Sequence, residues 1–196
     1  LGDVRGGRRL AADRLVGHHH PARAAPDALA CHAVEADRLL GEQHPDVVVL
    51  IAGKDGAASA TIRAALDADP ATASHIRLLG HRTDVGDLLC AADVLAISSH
   101  FEGTAGVALE AMALETPIVS TDLDGLRGIL SDETDCLLVP RADPSALAAA
   151  LGRVLSDRDL AHRLAWQARR EFDERFTLDA GAARLAALYR SALEAC

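Results

Sequence analysis

Aromatic side chains are scarce in this chain of 196 residues, where they make up 3% of the sequence. A hydrophobic core must therefore be built from Leu, Val, Ile and Ala, and the hydrophobic content of 49% is ample for that. The same scarcity excludes an aromatic platform of the kind on which nucleic-acid bases stack. At this length we expect one domain, or one and a fraction.

Positive charge is also in short supply. The 29 acidic residues outnumber the 20 basic ones, which gives a net charge of −9. Neither nucleic acid nor an anionic membrane surface is therefore an expected partner. No apolar run approaches the roughly 18 residues that a transmembrane segment needs, and we identify no signal peptide. The first residue is Leu1 and not Met, which leaves open that the sequence is a fragment.

The cysteine spacing shows no metal or redox pattern. The four cysteines are scattered along the chain, at Cys31, Cys90, Cys136 and Cys196. Cytosolic proteins keep such thiols reduced, and free cysteines are usually buried. We therefore expect reduced, mostly buried thiols, a cytoplasmic location and no metal site.

Short apolar runs alternate with helical patterns along most of the chain. The runs predict strands at Val47–Ile51, Ile76–Leu79, Val94–Ser98, Ile118–Ser120 and Cys136–Val139. Helices are predicted at Ala25–Gln43, Ala57–Asp69, Val85–Ala91, Gly106–Leu114, Leu123–Leu130, Ser145–Leu155, Asp157–Arg175 and Leu178–Ala195. Strands that alternate with helices predict an α/β fold, with a parallel sheet covered by helices on both faces.

The loops that follow the strands form the expected functional edge, because ligands of parallel sheets bind at the carboxyl ends of the strands. After the run that ends at Ser98, Glu102 lies in a small-residue turn, and Glu110 lies in the first turns of the helix that follows. This turn opens an Ala-rich helix, whose first N–H groups are unpaired and whose dipole favours negative charge. The pattern predicts an anion site, and the two carboxylates suit hydroxyl groups of the same ligand. A solvated surface role is the alternative for each glutamate.

Several motifs together resemble family 4 of the retaining glycosyltransferases. They are Ile51–Gly53, Leu78–Gly80, Ala91–Gly103, Leu109–Ala113, Thr116–Val119 and Leu137–Pro140. The resemblance extends from Leu15 to Leu193, and it is to the C-terminal, donor-binding half of a GT-B enzyme. It implies a Rossmann-like three-layer sandwich with C-terminal helices. We expect residues 1–14 to be an irregular N-terminal segment and residues 15–196 to form the nucleotide-sugar-binding domain.

The resemblance implies roles for the residues around the turn. Glu102 would contact the donor sugar near its anomeric carbon, as the catalytic residue. Glu110 would accept hydrogen bonds from the ribose hydroxyls. The donor diphosphate would be held by backbone N–H groups of the turn, at Thr104, Ala105 and Gly106, with Gly103 beside them.

Cationic and loop residues complete the implied donor site. The family has an Arg and a Lys after its first strand to neutralise the leaving diphosphate. Here His18 stands at the Arg position, which is a departure, and Arg23 stands at the Lys position. Gly53 and Lys54, the only lysine, follow the next strand, and the base would lie against the loop that contains His81 and Arg82. For the cationic residues, a solvated loop position is the alternative.

Another departure concerns the end of the helix that carries Glu110. Glu115 stands where the family usually has Gly, and a helix end of this kind often needs a left-handed residue. Asp135 likewise replaces a turn glycine, and Asp124 and Gly128 depart from the family pattern in the next ligand loop.

The implied function is transfer of a sugar from a UDP- or GDP-linked nucleotide-sugar to an acceptor, with retention of configuration and without a metal or other cofactor. The acceptor-binding domain would belong to the same polypeptide or to a partner chain. Through that domain the protein could attach peripherally to a membrane. Without that domain we expect donor binding with little transfer. Two alternatives remain: a non-catalytic nucleotide-sugar-binding or structural module with a decayed phosphate clamp, and a sugar-nucleotide epimerase, for which no acid–base set is evident.

Overall fold

The computed structural model describes residues 9–13, 26–55, 59–99 and 106–194. Within them, six strands form one fully parallel sheet. The strands are Arg9–Asp13 (β1), Val48–Ala52 (β2), Ile76–Gly80 (β3), Val94–Ile97 (β4), Ile118–Thr121 (β5) and Leu137–Val139 (β6). Their order across the sheet is β3-β2-β1-β4-β5-β6.

Helices pack on both faces of this sheet, which confirms the predicted Rossmann-like three-layer sandwich. The α-helices are Pro26–Gln43 (α1), Ser59–Ala68 (α2), Pro70–His75 (α3), Val85–Ala91 (α4), Gly106–Ala113 (α5), Pro144–Ser156 (α6), Arg158–Arg175 (α7) and Leu178–Glu194 (α8). A short 3-10 helix spans Asp124–Leu126.

The core lies in two layers, one on each face of the sheet. Strand β4 contributes to both layers, because successive side chains of a strand point to opposite faces. Val94 and Ala96 pack in the layer with α1 and α6, whereas Leu95 and Ile97 pack in the layer with α4 and α5. All four residues are buried, as expected for a central strand of a parallel sheet.

Aspartates at the N-cap position start three of the helices. Asp69, Asp143 and Asp157 each accept hydrogen bonds from N–H groups in the first turn of α3, α6 and α7. In α3 and α6 a proline follows the aspartate, at a position where a missing N–H is tolerated. Helix α3 is not among the predicted helices, although Asp69–Pro70 carries this start signal.

Two predictions of local structure are wrong. Residues 1–14 are predicted to be irregular, but Arg9–Asp13 is strand β1, in the interior of the sheet between β2 and β4. Its sequence, Arg-Leu-Ala-Ala-Asp, contains no β-branched or aromatic residue, so propensity gives no strand signal. Leu123–Leu130 is predicted to be a helix, but only Asp124–Leu126 forms a 3-10 turn. This segment contains two glycines, which disfavour a continuous helix.

The expectation of mostly buried thiols is wrong at Cys90, which is exposed on α4. Cys136 is buried, and burial raises the pKa of its thiol. Both are free cysteines. The side chains of Cys31 and Cys196 lie outside the described part of the chain.

Helix α8 carries apolar side chains that the described residues leave exposed. None of its residues is buried. Leu178 is 93% exposed, and Leu188, Tyr189 and Leu193 are each more than 60% exposed. In the described part of the chain, no helix is both long enough and apolar enough to cross a membrane.

Glu115 ends α5 in the left-handed conformation, with a φ of 55°, as the sequence analysis predicts for this position. Its N–H donates to Met112 O, and the N–H of Thr116 donates to Ala111 O at 3.0 Å. These two bonds form a Schellman motif, which satisfies carbonyls that the helix end would otherwise leave unpaired. A side chain at this φ is strained, because its Cβ crowds the following carbonyl oxygen.

Replacement of Glu115 by glycine should therefore stabilise the protein. We expect Glu115→Gly to raise the free energy of unfolding by about 1 kcal/mol, because glycine adopts positive φ without this crowding. At this chain length the gain corresponds to a rise in Tm of roughly 2–4 °C. Glu115→Ala is the matched control, since it removes the carboxylate and keeps the Cβ. An equal rise in Tm for both variants would contradict the explanation from backbone strain.

Asp37 is a buried carboxylate on α1 without a partner. It is 3% exposed, and neither carboxylate oxygen has a hydrogen-bond partner in the described structure. Burial of the charge, with a smaller contribution from the nearby Asp69, raises the pKa of Asp37 to about 7. The ionised form is therefore disfavoured in the folded state.

Stability should consequently fall as the pH rises through the range between the unfolded and folded pKa values of Asp37. Between about pH 4 and pH 7 the folded state keeps a proton that the unfolded state has lost, so each rise in pH favours unfolding. Asp37→Asn should flatten this slope and raise the free energy of unfolding at pH 8 by about 1–3 kcal/mol. Urea unfolding at pH 5 and pH 8 measures both effects. Asp67→Asn, at an exposed position on α2, is the control, and an unchanged slope in Asp37→Asn would refute the assignment.

Candidate functional site

The order of strands reverses next to β1, which pairs with β2 on one side and with β4 on the other. In open α/β sheets this switch point leaves a crevice at the carboxyl ends of the strands, where ligands bind. Strands β1 and β4 end here, at Asp13 and Ile97. The chain segments that follow these two strands contain most of the residues predicted to bind the donor.

Helix α5 brings its N-terminus to this edge of the sheet, because it follows β4 along the chain. One face of the helix is formed by Ala108, Ala111 and Met112, whose relative exposure is 0%. The helix begins at Gly106, which is exposed, as is Glu110 one turn later. Side chains of a helix tilt toward its N-terminus, so Glu110 leans toward the turn at Gly106. The first N–H groups of α5, which have no partner within the helix, and a carboxylate are thus adjacent on one exposed surface.

Six of the predicted donor-site residues lie outside the described residues. They are His18, Arg23, Glu102, Gly103, Thr104 and Ala105. Their roles stay predictions, and this includes the catalytic role of Glu102. Of the residues around the turn, the structure places Gly106 and Glu110 together on α5.

Gly53 and Lys54 follow β2 at the same edge of the sheet. The N–H of Gly53 donates to Gly80 O at 2.8 Å, which joins the ends of β2 and β3. Next to this contact is a cavity of about 400 Å³, lined by apolar side chains that include Ile51 and Ile62, and by the exposed Lys54. An ion pair of 2.7 Å between Arg63 and Asp55 lies in the cavity wall.

His81 and Arg82 follow β3, as predicted, but they differ in their surroundings. His81 is exposed, whereas Arg82 donates through Nε to Asp84 at 2.8 Å and through a second nitrogen to the other carboxylate oxygen. This bidentate pair lowers the pKa of Asp84 and raises that of Arg82. The guanidinium of Arg82 is therefore already occupied, and its contact with Asp84 holds the loop that leads into α4.

The loops after β5 and β6 contain a charged cluster that the sequence analysis did not predict. The Nε of Arg141 donates to Asp122 O at 2.6 Å, and Arg127 pairs with Asp124 at 2.9 Å. Asp124 is also 3.3 Å from Arg141. The one sequence signal for this cluster is position, because Asp122 and Arg141 each come shortly after a strand. The cluster joins the two loops beside the candidate site.

The described residues contain no group of three or more His, Cys, Asp or Glu side chains that could hold a metal ion.

A protein-family model described as glycosyl transferases group 1 matches residues 16–157, which is well over half of the chain. The chain belongs to the group 1 glycosyltransferases. The resemblance identified from the motifs is thus confirmed, and the fold is that of the C-terminal half of a GT-B glycosyltransferase.

Two D-inositol 3-phosphate glycosyltransferases show the extent of the match within this group. The protein from Thermobispora bispora is 32% identical over 184 residues, which cover 92% of this chain and 43% of the relative. The protein from Xylanimonas cellulosilytica is 40% identical over 111 residues, which cover 57% of this chain and 26% of the relative. The chain therefore spans less than half the length of these curated relatives.

Solved structures of glycosyltransferases share the fold. The Anabaena protein HepE, solved in complex with UDP and glucose, superimposes with a TM-score of 0.75 at 18% sequence identity. The superposition covers 94% of this chain and 48% of HepE. At this identity the likeness concerns the fold alone.

Proposed function

We propose that this chain is the donor-binding half of a retaining glycosyltransferase, which transfers a sugar from a nucleotide-sugar to an acceptor. The observation that carries the proposal is the position of α5. Its N-terminus follows the strand next to the topological switch point, and Glu110 is exposed one turn along the same helix. Membership of the group 1 glycosyltransferases supports a sugar-transfer reaction.

The helix N-terminus suits the leaving diphosphate. Cleavage of a sugar–phosphate bond develops positive charge on the sugar and negative charge on the diphosphate. Unpaired N–H groups and the dipole of α5 would stabilise that negative charge without reorganisation during the reaction. In this proposal the N–H groups of Thr104, Ala105 and Gly106 bind the diphosphate, and no metal ion is required. Loss of one such group typically lowers a rate by about 10²–10³-fold.

In this proposal Glu102 and Glu110 contact different parts of the donor. Glu110 lies about 6 Å along the helix axis from Gly106, the first residue of α5. Its side chain leans back toward the proposed diphosphate position. It would accept hydrogen bonds from the ribose hydroxyls. Glu102 comes before the helix in the chain and would contact the sugar at the anomeric centre, as the catalytic residue.

Cationic residues would complete the diphosphate site. Arg23 and His18 follow β1, which ends beside β4 at the switch point. Lys54 is the cation of the β2 loop, and it is exposed beside the cavity. Arg82 is the weakest candidate for a phosphate contact, because Asp84 already binds its guanidinium.

The acceptor would be bound by a second domain, in cis or in trans. This part of the proposal is supported by relatives that are more than twice as long as their matched segments. GT-B enzymes react in the cleft between two domains, so the chain alone should bind the donor and transfer little sugar. A cytoplasmic location, with UDP- or GDP-sugars as donors and no further cofactor, belongs to the same proposal.

Donor binding should appear as thermal stabilisation of the isolated chain. The panel consists of UDP, GDP and ADP with their glucose and mannose conjugates, and orthophosphate is the control. A ligand at 100 times its Kd adds about 2.7 kcal/mol to the free energy of unfolding, which raises Tm by roughly 5–10 °C at this size. If no nucleotide shifts Tm more than orthophosphate does, the proposed function is wrong.

The ribose role of Glu110 can be tested with a nucleotide that lacks one hydroxyl group. For the wild-type chain we expect UDP to bind roughly 10-fold more tightly than 2′-deoxy-UDP, because a hydrogen bond to a carboxylate contributes about 1.5–3 kcal/mol. Glu110→Ala should weaken UDP binding and bind both nucleotides equally, as measured by titration calorimetry. Glu115→Gln, at the other end of α5, is the matched control and should keep the preference. If Glu110→Ala still prefers UDP as strongly as the wild-type chain does, Glu110 does not contact the 2′-hydroxyl.

A further inference from the structure

The cavity at the carboxyl ends of β2 and β3 has an apolar wall that the described residues leave uncovered. Ile76 of β3 is buried in the core layer that contains Ile62 of α2, whereas Leu78, on the same face of the strand, is 44% exposed. Ile62 and Leu78 both line the cavity, whose volume of about 400 Å³ is within the range of about 300–1,000 Å³ typical of ligand sites. The flat face of an aromatic ring that packs on Leu78 would remove apolar surface from water.

An irregularity in the pairing of β2 with β3 shapes the rim of this cavity. Ile51 pairs with Leu78, but the next pair is Ala52 with Gly80, so Leu79 is an extra residue on β3. Bulges of this kind redirect side chains and are over-represented beside functional sites. Leu79 also lines the cavity, so its rim belongs to the sheet itself.

Charged side chains line the cavity beside its apolar wall. They are Lys54, Asp55 and Arg63. Arg63 donates to Oδ1 of Asp55 at 2.7 Å, and the side chain of Asp55 is 74% exposed. A carboxylate has about four lone-pair positions, so the contact with Arg63 leaves Asp55 able to accept further hydrogen bonds. The cavity therefore combines an apolar wall, a carboxylate that accepts and an ammonium group that donates.

Guanine has the hydrogen-bonding edge that matches this set of groups. Its N1–H and N2–H₂ are adjacent donors that one carboxylate can accept together, and its O6 and N7 are acceptors suited to a lysine. Uracil has a single donor between two carbonyl oxygens, and adenine has a ring acceptor beside its amino group. With either of these bases the carboxylate faces a lone pair, which is a repulsive contact that favours guanine.

The cavity is close enough to the proposed diphosphate site to bind the base of the same ligand. In the sheet, β1 alone separates β2 from β4. Neighbouring strands are about 4.8 Å apart, so the end of β2 is about 10 Å from the end of β4, after which the chain continues to α5. An extended nucleoside diphosphate spans this distance between its phosphates and its base.

We propose that this cavity binds the base of the donor and that Asp55 selects guanine over uracil and adenine. The inference rests on the proposed function, and it narrows the donors to GDP-sugars. The carboxylate of Asp55 accepts hydrogen bonds from N1–H and N2–H₂ of the base. The ammonium group of Lys54 donates to O6, and Leu78 contacts the face of the ring.

The size of the selection follows from the hydrogen bonds that each base makes. One hydrogen bond to a charged group changes affinity by about 10-fold or more. GDP should therefore bind at least about 10-fold more tightly than UDP or ADP. Inosine diphosphate (IDP) keeps N1–H and O6 but lacks the amino group at N2, so it should bind about 10-fold more weakly than GDP.

Asp173 provides a matched control on α7. Like Asp55 it is exposed and paired with an arginine, since its Oδ2 lies 2.9 Å from Nε of Arg169. Helix α7 contributes no residue to the described lining of the cavity. Asp173→Ala therefore removes a carboxylate from the same type of contact at a different place. Both alanine variants should keep their stability, because exposed ion pairs contribute little to it.

The experiment measures the Kd of GDP, IDP, UDP and ADP by titration calorimetry for the wild-type chain, Asp55→Ala and Asp173→Ala. The preference for GDP over each other nucleotide is compared, because the loss of a negative charge changes the binding of every diphosphate in the same way. In Asp55→Ala these preferences should fall to within about 3-fold of unity, since the acceptor of both donors is gone. Asp173→Ala should keep the wild-type preferences. The comparison of GDP with IDP in the wild-type chain needs no variant, so it tests the inference even if Asp55→Ala does not fold.

The outcomes separate this inference from the proposed function. If the wild-type chain binds none of the nucleotides, the proposed function is wrong and the selection of guanine is refuted with it. If UDP, ADP or IDP binds as tightly as GDP, the chain still binds a nucleotide and only the selection of guanine by Asp55 is refuted. A preference for GDP that persists in Asp55→Ala, or that disappears equally in Asp173→Ala, also refutes the role of Asp55.

Discussion

The packing of α5 against the sheet is the contact on which the rest of the candidate site depends. Ala108 and Ala111 are small, and with Met112 they have no exposed surface, so the helix lies close to β4 and β5. Interiors are packed densely, and a larger side chain on this face would push the helix outward. The first N–H groups of α5 and the carboxylate of Glu110 would then move together. The geometry of an exposed site is thus determined by residues that no ligand touches.

Arginines of α7 bind backbone carbonyls at the C-terminal end of α5 and in the nearby turns. Three of them donate to backbone carbonyls: Arg163 to Glu133 O at 3.0 Å, Arg169 to Ala113 O at 2.7 Å and Arg175 to Gly128 O at 2.5 Å. The acceptors lie in turns or at the end of α5, where carbonyls have no helical partner. A guanidinium presents several donors in a rigid fork, which suits such contacts better than a lysine would. Helix α7 therefore links the end of α5 to the loop after β5.

Sequence patterns predict the strands, helices and turns whose structure is decided by residues close together in the chain. The continuous apolar run of β4 and the amphipathic pattern of α7 are visible in the sequence, and Glu115 shows its left-handed position by standing at a glycine site. Strand β1 has no such signal, because its place between β2 and β4 is decided by pairing partners far along the chain. The contact of Arg169 with Ala113 O joins residues 56 positions apart, so spacing alone could not reveal it. In the site, strand ends predict the positions of Gly53, Lys54 and His81, while the pairing of Arg82 required side-chain geometry.

Lys54 gives the chain an unusual chemical property. It is the only lysine in the sequence, and it is exposed in the wall of the cavity at the carboxyl edge of β2. Reagents that acylate primary amines therefore find a single side chain to modify, together with the terminal amine. A fluorophore attached in this way would sit at the candidate site without any engineered cysteine. The scarcity of lysine thus makes this protein suited to site-selective labelling.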